Sequence, residues 1–194
     1  MGRIIYLCGK SSSGKDTIFR ELLKRGTCKL HTIVPYTTRP VRAGEQNGRE
    51  YFFTNEEGFQ KLLAQGKIIE HRAYDTIHGL WRYFTVDDGQ IDLSKDDYIV
   101  IGTLEGYEKM RVYFGKDALL PVLIELDDGV RLQRALDRER RQKNPRYEEM
   151  CRRFLADSRD FCEEKIQEAG ITRRFYNQKL VACLEEIETY IKGG

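Results

Sequence analysis

Short apolar runs alternate along this chain with longer segments in which apolar residues recur every three or four positions. The runs, rich in β-branched and aromatic residues, predict β-strands over residues 3–8, 30–34, 51–54, 67–69, 98–101 and 119–126. The longer segments predict α-helices over residues 17–24, 55–64, 104–113, 129–141, 147–168 and 178–192. Because strands and helices alternate, and several strands are continuously apolar, the pattern favours a three-layer α/β fold with a mostly parallel sheet.

One stretch departs from this rhythm. Residues 39–92 carry polar loops and half-polar strands instead of buried strands followed by helices. We therefore expect an insertion over about residues 36–92 that forms a subdomain over the edge of the sheet. The rest, residues 1–35 and 93–194, is expected to be the core of a single domain.

Composition and charge exclude several classes of protein. Lysine and arginine number 33 against 31 aspartates and glutamates, so the net charge is +2, and mixed signs argue against nucleic-acid wrapping and membrane-surface binding. No apolar run approaches the roughly 20 residues of a bilayer span, and the first residues lack a secretory signal. The five cysteines include no Cys-x-x-Cys pair, so a reducing cytoplasmic compartment is expected.

The segment between the first predicted strand and the first predicted helix carries the clearest chemistry. It reads Gly9-Lys10-Ser11-Ser12-Ser13-Gly14-Lys15. Glycines let backbone N–H groups surround a phosphate at a helix N-terminus, and Lys15 can reach the outer phosphates of a triphosphate. We therefore predict a nucleotide-binding loop over residues 9–17; the alternative is a simple turn in which Ser13 caps the helix.

Asp16 and Thr17 follow the lysine. Loops of this type usually have a serine or threonine directly after the lysine, with its hydroxyl on Mg²⁺, whereas here the hydroxyl comes one residue later, at Thr17. A carboxylate beside bound phosphates is repelled unless a cation lies between them. Our hypothesis is that Asp16 binds Mg²⁺ directly or through water, together with Thr17.

A second phosphate site is predicted in the inserted segment. Arg39 and Arg42 lie three residues apart on a stretch that Pro40 keeps extended, ahead of Tyr51. Arginine forms forked hydrogen bonds to phosphate oxygens, so these residues can clamp a second phosphate. The alternative is a solvated loop with surface charges. Two phosphate sites in one chain suggest transfer between two phosphorylated molecules.

These residues resemble the guanylate kinase family, nucleoside monophosphate kinases that move the γ phosphoryl group of ATP to GMP. The most specific element is Thr37-Thr38-Arg39-x-x-Arg42-x-Gly44-Glu45-x-x-Gly48-x-x-Tyr51, and the resemblance runs from Gly9 to the Phe175-Tyr176-Asn177 segment. It implies a P-loop NTPase-type core, an inserted nucleoside-monophosphate-binding subdomain, and ATP and Mg²⁺ as cofactors. Partners would be small-molecule nucleotides, with no nucleic acid or membrane; monomer and dimer both remain open.

The resemblance also implies roles for single residues. Arg39, Arg42 and Tyr51 would hold the GMP phosphate, with Glu45 supporting them. Glu70 would accept hydrogen bonds from the guanine N1–H and 2-amino group. Asn177 would lie near the adenine, and Arg153 and Arg138 would bind the phosphates.

Three base-reading positions depart from the family. Pro35-Tyr36 replaces a serine, His78-Gly79-Leu80-Trp81 replaces a Tyr-Gly-Ser or Tyr-Gly-Thr run, and Thr103 replaces a carboxylate. These departures leave the base preference open, with His78 and Thr103 as candidate substrate contacts. Trp81 and His78 either contact the base, or Trp81 packs inside the subdomain and His78 is an ordinary polar histidine.

A basic stretch follows the fourth predicted helix. Residues 138–146 carry four arginines and a lysine, interrupted by Asn144-Pro145. We predict a short lid at about residues 137–147, because phosphoryl transfer needs positive charge and the exclusion of water. Alternatively, individual basic side chains have no role in a lid and are solvated charges that the dipole favours at the C-terminal end of the helix.

The predicted activity is Mg²⁺-assisted, in-line phosphorylation of a nucleoside monophosphate, most simply GMP to GDP. Lys15, Arg39, Arg42, Arg138 and Arg153 are the predicted catalytic residues. One alternative is a kinase of the same fold that phosphorylates a sugar phosphate such as ribose 1,5-bisphosphate. Another is a catalytically silent guanylate-kinase-like binding module.

Overall fold

The computed structural model describes residues 2–42, 44–76 and 79–193, which form nine strands and seven α-helices. The strands are β1 (Ile4–Cys8), β2 (Leu30–Thr32), β3 (Tyr36–Thr37), β4 (Phe52–Phe53), β5 (Ile68–Thr76), β6 (Gly79–Val86), β7 (Asp97–Ile101), β8 (Leu119–Glu125) and β9 (Arg174–Tyr176). The helices are α1 (Lys15–Arg25), α2 (Glu56–Ala64), α3 (Leu104–Phe114), α4 (Asp128–Arg140), α5 (Tyr147–Asp160), α6 (Glu163–Glu168) and α7 (Leu180–Gly193). No helix in these described ranges is both long and apolar enough to span a bilayer.

A five-stranded, fully parallel sheet forms the centre of the molecule. Its strand order is β2-β7-β1-β8-β9, so the first strand lies in the middle. Ile4 and Tyr6 pack on one face with residues of α3 and α6, and Ile5 and Leu7 pack on the other with α1 and α7. Since β1 is apolar throughout, both of its faces are buried, as the sequence predicts. The predicted three-layer α/β fold class is confirmed.

A second sheet forms within the predicted insertion. Its order is β4-β3-β6-β5; β3 and β4 are parallel, and β6 is antiparallel to both of its neighbours. Phe59 of α2 packs edge-on against Phe84 of β6, with 5.0 Å between ring centroids. Lys109 of α3 donates to the His71 carbonyl of β5 at 2.9 Å, which joins this sheet to the core.

Some predicted elements are wrong. The single helix expected over residues 147–168 is two helices, because Phe161 turns inward to the core and the extended backbone of Cys162 separates α5 from α6. The strand expected over residues 67–69 continues to Thr76 and pairs with β6, a strand that the polar pattern did not indicate. Strands β3 and β9 were also not expected, since each has only two or three residues.

Candidate active site

The predicted phosphate loop joins β1 directly to α1. Gly9 and Gly14 have φ angles of 139° and 99°, which residues with a side chain rarely adopt. A Cβ atom at Gly14 would also collide with the amide of Asn177. The loop can therefore close tightly at the N-terminus of α1, where unpaired N–H groups and the helix dipole favour an anion.

Asn177 holds this loop from the far edge of the sheet. Its side chain is buried directly after β9 and donates to the Ser13 carbonyl at 2.8 Å. Its own backbone N–H donates to Glu125 of β8 at 2.9 Å. Asn177 thus fixes the loop that precedes α1, and its expected position near an adenine stays a prediction.

Lys15 lies folded against the loop. Its Nζ donates to the carbonyls of Gly9 and Lys10 at 2.6 and 2.9 Å. Burial lowers the pKa of Lys15, while the nearby carboxylates of Asp16 and Asp157 oppose that decrease. The ammonium group is therefore held by two neutral carbonyl acceptors of the loop, which a phosphate anion can replace.

The loop contains two buried serine hydroxyls. Among the described residues, Ser12 Oγ and Ser13 Oγ are buried without a hydrogen bond. A buried polar group without a partner costs free energy, so such groups indicate a ligand or water that completes the site. Both hydroxyls suit phosphate oxygens.

Asp16 and Thr17 lie in the first turn of α1, with Asp16 exposed and Thr17 half-buried. No cluster of three or more metal-ligating side chains occurs among the described residues. Mg²⁺ often needs only one or two carboxylates, with water and phosphate oxygens completing its shell. The pair therefore fits Mg²⁺ only in company with a bound phosphate, beside the unpartnered hydroxyls of the loop.

An arginine on α4 and an aspartate on α5 hold the backbone carbonyl and N–H of Ser11, and sequence reasoning missed both. Arg131 Nε donates to the Ser11 carbonyl at 3.0 Å, and the Ser11 N–H donates to Asp157 Oδ2 at 2.7 Å. Arg131 Nη2 donates to the same Oδ2 at 3.1 Å. Arg131 also pairs with Asp128 and lies over the ring of Phe154, and it is only 1% exposed.

The second predicted phosphate site is built around Arg39. This side chain is 3% exposed, and its two terminal nitrogens donate to Glu45 at 2.8 and 3.0 Å. That hydrogen-bonded pair holds the pKa of Glu45 below its ordinary value. The forked end of Arg39 thus binds Glu45, whereas its Nε is buried without a partner among the described residues.

Tyr51 and Arg42 complete this neighbourhood in different ways. The guanidinium of Arg39 lies over the Tyr51 ring, 5.4 Å from its centroid. Arg42 is exposed, and its backbone N–H donates to Glu45 Oε2 at 2.8 Å. Arg39 is therefore buried, and only Arg42 matches the alternative of a solvated surface charge.

Glu70 is buried on strand β5. It accepts hydrogen bonds from Thr85 and from Arg72, a residue to which the sequence analysis gave no role. Thr103 caps α3 and accepts a hydrogen bond from Arg72 at 3.3 Å. Trp81 is half-buried opposite Tyr74 in the β5–β6 ladder, and His78 lies outside the described residues.

The predicted lid lies between α4 and α5. Arg138 and Arg153 are exposed, one on each helix. Glu139 is buried and accepts from the Arg146 N–H and the Gln142 amide, both at 3.1 Å, which fixes the connecting loop. Both arginine side chains are exposed, unlike those of Arg131 and Arg39, although Arg138 Nε lies 4.0 Å from the buried carboxylate of Glu139.

Comparison with known proteins is consistent with this geometry. The sequence profile described as guanylate kinase matches residues 1–79. A guanylate kinase from Porphyromonas gingivalis is 26% identical over 98% of this chain and 97% of its own length. One from Chlorobaculum tepidum is 30% identical over 84% of this chain and 72% of its own length.

The fold has a counterpart among solved structures. The crystal structure of guanylate kinase from Anaplasma phagocytophilum matches 99% of this chain and 85% of that chain, with a TM-score of 0.63 and 21% identity. At that identity the match supports the P-loop NTPase-type fold alone. Together with the relatives that align along most of the sequence, it places this chain in the guanylate kinase family of nucleoside monophosphate kinases.

Proposed function

We propose that this protein transfers the γ phosphoryl group of ATP to a nucleoside monophosphate, most simply GMP, by Mg²⁺-assisted in-line displacement. One observation carries the proposal. Of the four buried side-chain polar atoms without a partner among the described residues, three are Ser12 Oγ, Ser13 Oγ and Arg39 Nε. These three atoms belong to the two predicted phosphate sites, and phosphate oxygens would satisfy all of them.

The two phosphate sites would bind different substrates. The loop from Gly9 to Thr17 would bind ATP, with Lys15 leaving the two loop carbonyls to reach its outer phosphates. Arg39 and Arg42 would hold the acceptor phosphate, with Glu45 orienting Arg39 and Tyr51 lying below its guanidinium. Residues 36–92 would then act as the acceptor-binding subdomain.

Charge and placement would supply most of the rate. The acceptor phosphate has a second pKa of about 6 and is already an anion at neutral pH, so no general base is needed. Mg²⁺, held by Asp16 and Thr17, would neutralise charge on the migrating group. Arg138 and Arg153 carry exposed charges on either side of the loop at residues 141–146, and closure of that lid would bring them to the phosphates and exclude water.

A substrate panel tests the proposal. ADP release from ATP and Mg²⁺ is measured with GMP, dGMP, AMP, UMP and ribose 1,5-bisphosphate as acceptors. The proposal expects turnover with a purine monophosphate above the rate without acceptor. Turnover only with the sugar phosphate would show the alternative kinase, and a failure to bind ATP in calorimetry would show a silent binding module.

A further inference from the structure

Both carboxylate oxygens of Glu70 accept hydrogen bonds from neighbouring side chains. Its Oε1 accepts from Thr85 Oγ1 at 2.9 Å and from Arg72 Nη2 at 3.4 Å, and its Oε2 accepts from Arg72 Nε at 3.2 Å. The side chain of Glu70 is 3% exposed, while that of Arg72 is 14% exposed. The group that is closer to solvent is therefore the guanidinium, and the carboxylate lies behind it.

Arg72 is fixed in place by residues on two elements. Besides its pairing with Glu70, its Nη1 donates to Thr103 Oγ1 at 3.3 Å. Burial acts to lower the pKa of Arg72, but Glu70, Tyr6 and Tyr74 together more than offset this, so its pKa lies above its ordinary value. Arg72 therefore stays charged and joins strand β5 to the cap of helix α3.

Arg72 still has donors to offer. A guanidinium carries five N–H groups, and three of those on Arg72 are used by Glu70 and Thr103. Each terminal nitrogen, Nη1 and Nη2, thus keeps one N–H beyond the hydrogen bonds to described residues. Two such donors on one planar group suit a ligand with two neighbouring acceptors.

A wall of tyrosine rings connects Arg72 with the second phosphate site. Tyr51 lies 5.7 Å from Tyr83, and Tyr83 lies 5.7 Å from Tyr74, measured between ring centroids. Burial raises the pKa of both Tyr51 and Tyr74, and the charge of Arg72 partly opposes the increase at each. Arg72 lies directly opposite Tyr83, the middle ring, in the β5–β6 ladder, while Arg39 covers the Tyr51 ring.

We propose that Arg72, oriented by Glu70 and Thr103, reads the acceptor edge of the base, so that guanine is recognised through O6 and N7 and not through its N1–H and 2-amino donors. The inference rests on the proposed function and adds the residue that determines which purine base is accepted. Paired donors of arginine complement O6 and N7 of guanine. Adenine presents an amino group in place of O6, which would leave an N–H of Arg72 without an acceptor.

Two analogues separate the edges of the base. Inosine monophosphate keeps O6 and N7 but lacks the 2-amino group, whereas 7-deaza-GMP keeps the donors but lacks N7. With ATP and Mg²⁺ saturating, we expect kcat/KM for inosine monophosphate to lie within about threefold of that for GMP, and that for 7-deaza-GMP to fall about tenfold or more. The opposite ranking would show that Arg72 moves aside and Glu70 reads the donor edge, which would overturn the inference.

Variants assign the effect to Arg72. In Arg72→Met, the ratio of kcat/KM for GMP to that for 7-deaza-GMP should fall to about one, because no donor then faces N7. Arg72→Lys keeps a positive charge beside Glu70 but lacks the paired N–H donors, so the ratio should again fall most of the way to one. This second variant tests the inference even if the methionine variant fails to fold. A purely structural role would lower both rates equally and leave the ratio unchanged.

Arg82→Met is the matched control. Arg82 lies in the same sheet, pairs with Glu56 at 2.8 Å and covers the Phe59 ring, so its loss tests the general effect of removing an arginine there. It should keep the wild-type ratio. A wild-type ratio in both Arg72 variants would refute the inference but not the proposed kinase activity. If the wild-type protein turned over no purine monophosphate, both the proposed function and the inference would be refuted.

Discussion

The carboxylate of Asp157 accepts a hydrogen bond from the backbone N–H of Ser11 at 2.7 Å. Arg131 closes the arrangement, since it donates to the Ser11 carbonyl at 3.0 Å and to the same Asp157 oxygen at 3.1 Å. Both backbone polar groups of Ser11 are therefore held by side chains of α4 and α5. The shape of the loop thus depends on the packing of these two helices.

Replacing Asp157 with alanine should destabilise the protein. Among the described residues, the change would leave Arg131, which is 1% exposed, with the half-exposed Asp128 as its one anionic partner. Removing one partner of a buried ion pair is costly, and we expect a loss of about 2–3 kcal/mol in the free energy of unfolding. Urea denaturation measures it, with Asp160→Ala on the same helix as the control, because Asp160 is 64% exposed. Equal midpoints for the two variants would contradict the prediction.

Lys15→Met should abolish most of the activity without unfolding the protein. Within the described part of the chain, the ammonium group of Lys15 donates hydrogen bonds to two loop carbonyls, so few stabilising interactions are lost. Loss of its charge at the migrating phosphoryl group should lower kcat by about 10²–10³-fold.

Steady-state kinetics with circular dichroism on the same samples would check the Lys15 prediction. Lys10→Met is the control, because Lys10 lies in the same loop but pairs with Asp128 at 3.4 Å. A drop of similar size in both variants would mean that loop charge in general, and not Lys15, governs the rate.

The core of the fold could be predicted from the sequence because each of its strands has a local signal, a short apolar run. The run at Ile4–Cys8 is apolar on both faces, and this requires a central position in a helix-covered sheet. Strand β6 could not be found in the same way. It mixes Arg82 and Tyr83 with buried Phe84, and its identity as a strand depends on antiparallel pairing with β5.

The same distinction applies to the site. The loop from Gly9 to Lys15 is a contiguous motif, so its chemistry could be predicted from spacing alone. Arg131 acts on Ser11, which lies 120 positions away, and Arg72 acts on Thr103, 31 positions away. A single charged residue on a helix or strand has no feature in the sequence that distinguishes it from a surface charge. Only the tertiary structure shows which of them is buried and what it holds.

The stability of the protein should fall in alkaline solution partly because of Cys8. This thiol is 0% exposed, and burial raises its pKa from an ordinary value of 9.0 to about 12. Between those values the unfolded chain loses a proton that the folded protein keeps, so unfolding becomes easier as pH rises. The contribution is about 1.4 kcal/mol for each pH unit in this window.

Urea denaturation at pH 8 and pH 10.5 would isolate the effect of Cys8. Between these conditions, wild-type protein should lose about 2 kcal/mol more than Cys8→Ala, since the tyrosines that also titrate are common to both. Cys151→Ala, which changes an exposed cysteine, should follow the wild type. Parallel losses in wild type and Cys8→Ala would show that Cys8 does not remain protonated.

Asp16→Asn should weaken the response of the enzyme to Mg²⁺. Asp16 is exposed in the first turn of α1, beside Lys15, and Thr17 follows it. An amide keeps the shape of the carboxylate but loses its charge, and charge is the main attraction for a hard cation. The Mg²⁺ concentration for half-maximal rate should therefore rise about tenfold.

A Mg²⁺ titration at fixed ATP would measure this shift, with Asp16→Ser as a second variant. Serine restores the hydroxyl that such loops usually carry after the lysine, so it should recover part of the Mg²⁺ affinity that asparagine loses. Glu21→Gln, which removes a carboxylate from the same helix one turn beyond the site, is the control and should titrate like wild type. If Asp16→Ser and Asp16→Asn both showed the wild-type dependence on Mg²⁺, the carboxylate would have no part in holding the metal, and its position next to the phosphates would need another cation to offset it.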